Sequence, residues 1–286
     1  MGTDTVKVLV TGANGQLGQE LVHIDNAHIQ IVGFGRDQLD ITDLARCREI
    51  LVEVKPDTII HTAAYTAVDK AEEEPEEAYR VNAIGTRNLA VVAEEIGAKL
   101  LFVSTDYVFD GTGKAPYEES AETKPQSVYG KTKRAGEEFV LELSSHYFIV
   151  RTSWVYGRYG NNFVNTMLKL ATERDSVTVV ADQIGSPTYA RDLAAFLIEL
   201  VQTEKYGIYH ASNSGSCSWY TFAQAIFAER SVKMRVEPCT TAEFRRLAPR
   251  PAYSVMDQSA IHRNGLNGLR PWRVALREFL AEHEDK

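Results

Sequence analysis

The sequence predicts an α/β protein: a Rossmann-like, doubly wound parallel sheet with a smaller, mixed C-terminal substrate domain. Three observations carry that reading. Short β-branched runs alternate with helix-period segments through the first 153 residues. Several of these runs are apolar on both faces, as strands buried between two helical layers are. A glycine-rich turn joins the first run to the first helical segment.

The elements follow in order. Val6–Thr11 reads as strand one, and the turn from Gly12 to Gly18 opens a helix through Leu17, Leu21 and Val22. Residues 30–32 read as strand two. Leu44, Cys47, Leu51 and Val54 recur at helical spacing and form one apolar face, which Pro56 closes. Thr58–His61 is the third strand, 76–96 a long amphipathic helix stopped by Gly97, and 100–104 the fourth strand. A helix over 127–143 and a fifth strand over 148–152 complete the alternation, which implies right-handed crossovers. After Ser153 the rhythm loosens into Gly-, Asn- and aromatic-rich loops over 154–163, 182–189 and 213–220. The expected division is a dinucleotide-binding domain over 1–153 and a mainly substrate-binding domain over 154–286. Residues 206–211 are a candidate for return to the first sheet. The acidic run Glu72 to Glu77 reads as a solvated helix start, favoured by the helix dipole.

Composition excludes several classes. The 286 residues are 44% hydrophobic and 24% charged, with a net charge of −8, which is a globular mix with an acidic surface. That balance argues against a dedicated nucleic-acid or anionic-membrane binder. Cys47, Cys217 and Cys239 are odd in number and form no CxxC pair, so a reduced compartment is expected. With no basic, long-apolar leader, the expectation is a cytoplasmic protein. The scattered histidines form no compact ligand spacing, and no metal is assigned.

Two motifs carry chemistry. Gly12-Ala13-Asn14-Gly15-Gln16-Leu17-Gly18 lies directly after a strand and opens a helix. Glycines allow the tight turn and the close approach of backbone to a pyrophosphate, and the helix start offers free N–H groups. The second motif is Tyr129-Gly130-Lys131-Thr132-Lys133, in which Tyr129 and Lys133 share one helix face. An ammonium beside a phenol is expected to lower the phenol pKa from its usual ~10, making Tyr129 a general acid or base. Thr105, at the end of the fourth strand, can donate to a substrate carbonyl. In Gly33-Phe34-Gly35-Arg36-Asp37 no carboxylate stands at the end of strand two, and Arg36 can meet a ribose 2′-phosphate. NADPH or NADH is therefore the expected cofactor, with NADPH used at least as well. His61, at a strand end, is read as structural, and Cys217 as incidental.

With Thr105, Tyr129 and Lys133 in place, the chain resembles the extended short-chain dehydrogenase/reductases. More narrowly it is similar to the dTDP-4-dehydrorhamnose reductase family. The similar segments are TGANGQLG from Thr11, HTAAYTAVD from His61, STDYVFDG from Ser104, VYGKTK from Val128, RTSWVY from Arg151, GNNF from Gly160, and Arg250-Pro251. The resemblance implies a catalytic trio of Thr105, Tyr129 and Lys133. It places Gly12, Gln16 and Leu17 along the cofactor pyrophosphate, Asp40 and Ile41 at the adenine, and Ala63, Ala64 and Tyr65 beyond strand three. It makes Asn82 structural, and assigns Asp106, Trp154, Asn161, Asn162, Phe163 and Arg250 to the dTDP-sugar pocket. The implied activity is NAD(P)H-dependent reduction of the C4 ketone of dTDP-4-dehydro-L-rhamnose, with Tyr129 as proton donor. A homodimer is common among extended members. Two alternatives stay open: an epimerase or dehydratase of the same fold, and a non-catalytic NADP-binding regulatory subunit. Dehydratase relatives carry Asp-Glu after the threonine, where this chain has Asp106-Tyr107, which favours plain reduction.

Overall fold

A computed structural model describes residues 5–282. Six parallel strands form the main sheet. β1 is Val6–Thr11, β2 Ile29–Phe34, β3 Thr58–His61, β4 Lys99–Thr105 and β5 Tyr147–Thr152. The sixth strand, Gly207–His210, pairs with β5, so the return of 206–211 to this sheet is observed. The order is sixth–β5–β4–β3–β1–β2, and it reverses between β1 and β3. Ligands of open α/β sheets bind at such a reversal, beyond the strands' carboxyl ends.

The two-sided burial follows from strand alternation. Val8 and Val10 of β1 pack in one core with Leu17, Leu21, Leu101, Phe148 and Val150. Leu9 enters the other core with Ile59, Leu100, Phe102, Ile149 and Leu89. Helix α1 (Gln16–Val22) lies on the first side and α2 (Leu44–Val54) on the second. Asp43 caps α2 by accepting the Arg46 N–H, and Lys55 ends it in a left-handed conformation one residue before Pro56.

The predicted long helix is present with an interruption. Pro75–Tyr79 and Thr86–Ile96 are α-helical, and Arg80–Gly85 between them is a π-helical segment. Gly97 closes the rod at φ +71°. The wide turn presents Asn82, whose Oδ1 accepts the Tyr65 N–H at 2.7 Å and whose Nδ2 donates to Tyr65 O and Thr132 Oγ1. Ser127 caps the helix Val128–Leu143.

The remaining chain builds short two-stranded pairings and a third core around Tyr156, Phe222, Trp272 and Phe279. The helix Ala190–Val201 does not join that core. Its Leu193, Leu197 and Leu200 pack with the first, against α1. Among the described residues no helix is long and apolar enough to cross a membrane.

One buried ion pair crosses the sheet edge. Glu137 of the Val128–Leu143 helix receives Arg151 Nε at 2.9 Å and Nη2 at 2.8 Å, and Ser104 Oγ at 2.6 Å. Removing one partner strands the other charge in a dry interior, which costs ~3–5 kcal/mol. Glu137→Ala is therefore expected to lower the unfolding free energy by about that amount in denaturant titration. A change within ~0.5 kcal/mol, typical of surface sites, would mean that water reaches Arg151.

Candidate active site

A cleft of about 1000 Å³ opens over the carboxyl ends of the strands. Gly12 and Gly15 line it after β1, Gly35 and Arg36 after β2, Thr62 and Ala63 after β3, Thr105 after β4, and Thr152 and Trp154 after β5. The turn after β1 leaves no room for a side chain at Gly12. Gly12 sits at φ +67°, and a Cβ there would meet the Ala63 backbone at 2.7 Å. Gly15 stands at the start of α1 with no side-chain cap, so the first amides of α1 have no side-chain acceptor there. These features fit a pyrophosphate.

Most of the predicted site residues meet in this cleft. Asn14, Gln16, Leu17, Asp40, Ile41, Ala64, Tyr65, Asp106, Tyr129, Lys133 and Asn161 all line it. Asp40 accepts from the Thr42 hydroxyl and N–H, which hold its carboxyl below the usual range. Arg36 lies at the rim, its side chain 81% exposed and 3.9 Å from Glu77. Tyr65 donates to Glu74 at 2.7 Å.

Four predicted site residues, Gly18, Phe163, Asn162 and Arg250, stand outside the lining, and Asn82, expected to be structural, stands behind it. Gly18 is buried under the turn, where a Cβ would meet Gly12 O at 2.2 Å, so its smallness serves packing. Phe163 stacks among Trp219 and Phe222 in the third core. Asn162 caps the helix Phe163–Glu173 and donates to Gln16 Oε1 at 2.9 Å, tying that helix to the turn after β1. Arg250 is outside the lining and pairs with Asp69 at 2.9 Å. Asn82 works from the helical rod behind Tyr65.

The trio departs from expectation in its electrostatics. Tyr129 is half-buried on the cleft wall, and desolvation pushes its phenol up to about 12, with the nearby Thr105 hydroxyl opposing the rise. Lys133 does not lower it. Lys133 Nζ donates to Val103 O at 2.7 Å and lies 4.0 Å from the Phe102 ring centroid. Burial pulls the Lys133 pKa down to about 7, with Glu137 resisting. The dry site therefore favours neutral forms of both groups. His61, buried between Thr11 and Thr86 hydroxyls at 2.8 and 3.0 Å, is likewise held far below its usual value. Burial also raises the Cys217 thiol to about 12, a poor nucleophile.

Sequence reading missed several cleft residues. Glu74 and Glu77, read as a solvated helix start, stand on the rim. Thr152 lines the floor with its hydroxyl buried and without a partner. Trp219 stacks on Trp154 at 3.5 Å and 8°. Trp154 itself sits at φ +47°, and its indole fills the space over Gly185. A tryptophan at positive φ has no sequence signature.

Comparison with known proteins agrees with this geometry. Residues 6–284 match the family model described as RmlD substrate binding domain. A dTDP-4-dehydrorhamnose reductase of Streptomyces griseus is 47% identical over 278 residues, covering 94% of this chain and 91% of that protein. A dTDP-4-keto-6-deoxy-D-glucose reductase of Streptomyces niveus is 40% identical, covering 95% and 96%. The crystal structure of a dTDP-4-dehydrorhamnose reductase from Bacillus anthracis in complex with NADP superimposes with a TM-score of 0.95 at 47% identity, covering 97% of this chain and 99% of that one.

The turn after β1 can be tested with a paired control. A side chain at a left-handed position costs ~1–2 kcal/mol wherever it stands. Gly97, at φ +71°, has nothing within 4 Å of a Cβ, whereas Gly12 meets Ala63. Gly97→Ala is expected to lose stability alone. Gly12→Ala is expected to lose stability and also NADPH affinity, read by fluorescence titration. Equal NADPH affinity in both variants would remove Gly12 from the cofactor site.

Proposed function

The chain belongs to the RmlD substrate binding domain family, and we propose that it reduces the C4 ketone of dTDP-4-dehydro-L-rhamnose with NADPH or NADH. The carrying observation is that Thr105, Tyr129 and Lys133 share one cleft with a glycine turn shaped for a pyrophosphate. Relatives named as reductases of dTDP-4-keto sugars support the substrate class, and the NADP-bound structure supports the cofactor.

Bound NADPH supplies the hydride to C4. Tyr129 gives its proton to the ketone oxygen as negative charge develops there. Its raised pKa suits that role, because the phenol stays protonated at neutral pH. Thr105 polarises the same oxygen by donating its hydroxyl hydrogen. Lys133, anchored by one N–H to Val103 O, turns its other donors toward the nicotinamide ribose. Gly12, Gln16 and Leu17 hold the pyrophosphate, with Gly18 packing the helix behind them. Asp40 and Ile41 edge the adenine. Arg36, exposed at the rim, meets the 2′-phosphate in competition with Glu77. Trp154, set by Trp219, offers an aromatic face to the nucleotide sugar.

Incubation with NADPH and a dTDP-4-keto-6-deoxy sugar tests the reading: oxidised cofactor and a dTDP-6-deoxy sugar are expected. Oxidation of NADPH without a reduced sugar, or sugar turnover without cofactor oxidation, would overturn it.

Tyr129→Phe is expected to lose ~10²–10⁴-fold in kcat, the usual worth of a general acid, with cofactor affinity largely kept. Near-wild-type kcat at saturating substrate would dismiss Tyr129 as donor. Lys133→Met is expected to weaken both turnover and NADPH binding. For cofactor choice, Arg36→Ala is expected to lower the NADPH-to-NADH ratio of kcat/KM. The wild-type preference should stay below ~100-fold, because a single exposed cation is a weak discriminator. An unchanged ratio would show that Arg36 does not touch the 2′-phosphate.

A further inference from the structure

We propose that Asp106 is a positioning residue for Thr105: neutral, it donates into the Thr105 oxygen and aims the threonine hydrogen at the reacting ketone; ionised, it takes that hydrogen for itself. This rests on the reductase reading above and assigns a control to the same site.

The argument begins with counting. A threonine hydroxyl has one hydrogen and two acceptor sites. Around Thr105 Oγ1 stand the Tyr107 N–H, donating at 3.2 Å, and Asp106 Oδ1, at 3.0 Å, with the Tyr129 hydroxyl facing the same oxygen. Tyr107 fills one acceptor site. With Asp106 a carboxylate, the threonine hydrogen goes to Oδ1, since a charge-assisted bond outcompetes a neutral one. The second acceptor site then draws in the hydrogen of Tyr129. Both hydroxyls thus point away from the substrate oxygen.

A neutral Asp106 reverses the arrangement. Its O–H fills the second acceptor site of Thr105. The threonine can then only donate outward, and Tyr129 finds no acceptor in it. Both hydroxyl hydrogens become available to one ketone oxygen. A single proton on Asp106, retained through the turnover, therefore sets two donors at once.

The surroundings make the neutral form accessible. Asp106 is 2% exposed, and its Oδ2 is buried without a partner. A carboxylate with an unsatisfied oxygen in a dry pocket is costly. Burial raises its pKa to about 6, against the opposing pull of the Ser254 and Thr105 hydroxyls and the backbone N–H groups of Asp106 and Tyr107. The titratable groups facing it are Tyr107 on its own turn and Tyr129 on the helix Val128–Leu143. Arg250 and Asp69, paired with each other, face Tyr107 on its other side. A bound sugar diphosphate adds negative charge and excludes water, and both effects favour the neutral acid further.

The test is the single-turnover rate of NADPH oxidation with saturating dTDP-4-keto-6-deoxy sugar, followed over about pH 5–9, the span in which a perturbed carboxyl titrates. The wild-type rate is expected to fall as pH rises through the Asp106 ionisation. The ratio between the two plateaus should approach ~10²–10³, the worth of a lost oxyanion donor. In Asp106→Asn the amide N–H donates to Thr105 at every pH, so this ratio should collapse toward one. In Thr105→Val the ratio should also collapse, with Asp106 intact, because Asp106 acts only through Thr105. A limb that survives in Asp106→Asn belongs to Lys133 and overturns the inference. A limb that survives in Thr105→Val overturns it too, as does a flat wild-type profile. Absence of ketosugar reduction at every pH would instead overturn the reductase reading itself.

Discussion

The buried ion pair between Glu137 and Arg151 is the constraint that sets the geometry of the candidate active site. Tyr129, Lys133 and Glu137 are spaced four apart and form one stripe along the helix Val128–Leu143. Glu137 fixes that stripe to two strand ends. It takes Ser104, the neighbour of Thr105, on β4, and Arg151, the neighbour of Thr152, on β5. Ser104 and Arg151 are themselves register partners. Arg151 reaches further, to Glu119 O and to His210 on the sixth strand. A buried pair of this kind contributes little net stability over an apolar substitute. What it does here is fix the sliding register of a helix against a sheet. Without it, Tyr129 could shift along the helix axis relative to Thr105, and positional errors near 1 Å weaken catalysis heavily.

The same dryness that makes this pair demanding sets the protonation of the site. Burial raises Tyr129 and Asp106 and lowers Lys133 and His61. Each shift moves a group toward its neutral form. For a base that would be a handicap in Tyr129. For an acid it is an advantage, since the phenol arrives protonated and finds its driving force only when an alkoxide forms. His61 is held neutral between two threonine hydroxyls, so it packs β1 and β3 against the helical rod without adding charge beneath Lys133.

Much of the parallel sheet was legible because its code is local. β1 and β3 are β-branched runs bounded by turn residues, and Ser127 and Gly97 mark helix ends by their own chemistry. Thr105 at a strand end, and Tyr129 and Lys133 on the helix that follows, were placed by that alternation. What escaped depends on partners distant in sequence. The π-helical segment at Arg80–Gly85 exists where Asn82 braces Tyr65 and Thr132, and nothing in RVNAIG announces it. The helix Ala190–Val201 follows the division at residue 153 yet packs on α1, because its leucines match that face. The pairing of Arg250 with Asp69, 181 residues away, likewise has no local signature. The expected lowering of Tyr129 by Lys133 failed for a related reason: spacing places the pair on one face, but only the fold says how dry that face is.

Selection of the sugar must therefore lie in contacts of this long-range kind. In the proposed reaction the trio meets a ketone and its oxygen, features common to any 4-keto sugar, and relatives with such a shared fold carry names for two different sugars. Discrimination between such substrates depends on pocket shape and on which hydroxyls find partners. In the proposed reading that wall includes Trp154 and the contacts that hold it. Trp154 is held at positive φ by its stack on Trp219 and by the close approach of Gly185. Asn162 crosses to Gln16, and Gln16 Nε2 returns to Val155 O. A change in the third core would tilt Trp154 without touching Thr105, Tyr129 or Lys133. In the proposed reading the chemistry and the choice of substrate are carried by separate sets of contacts, and the second set can vary while the first stays fixed.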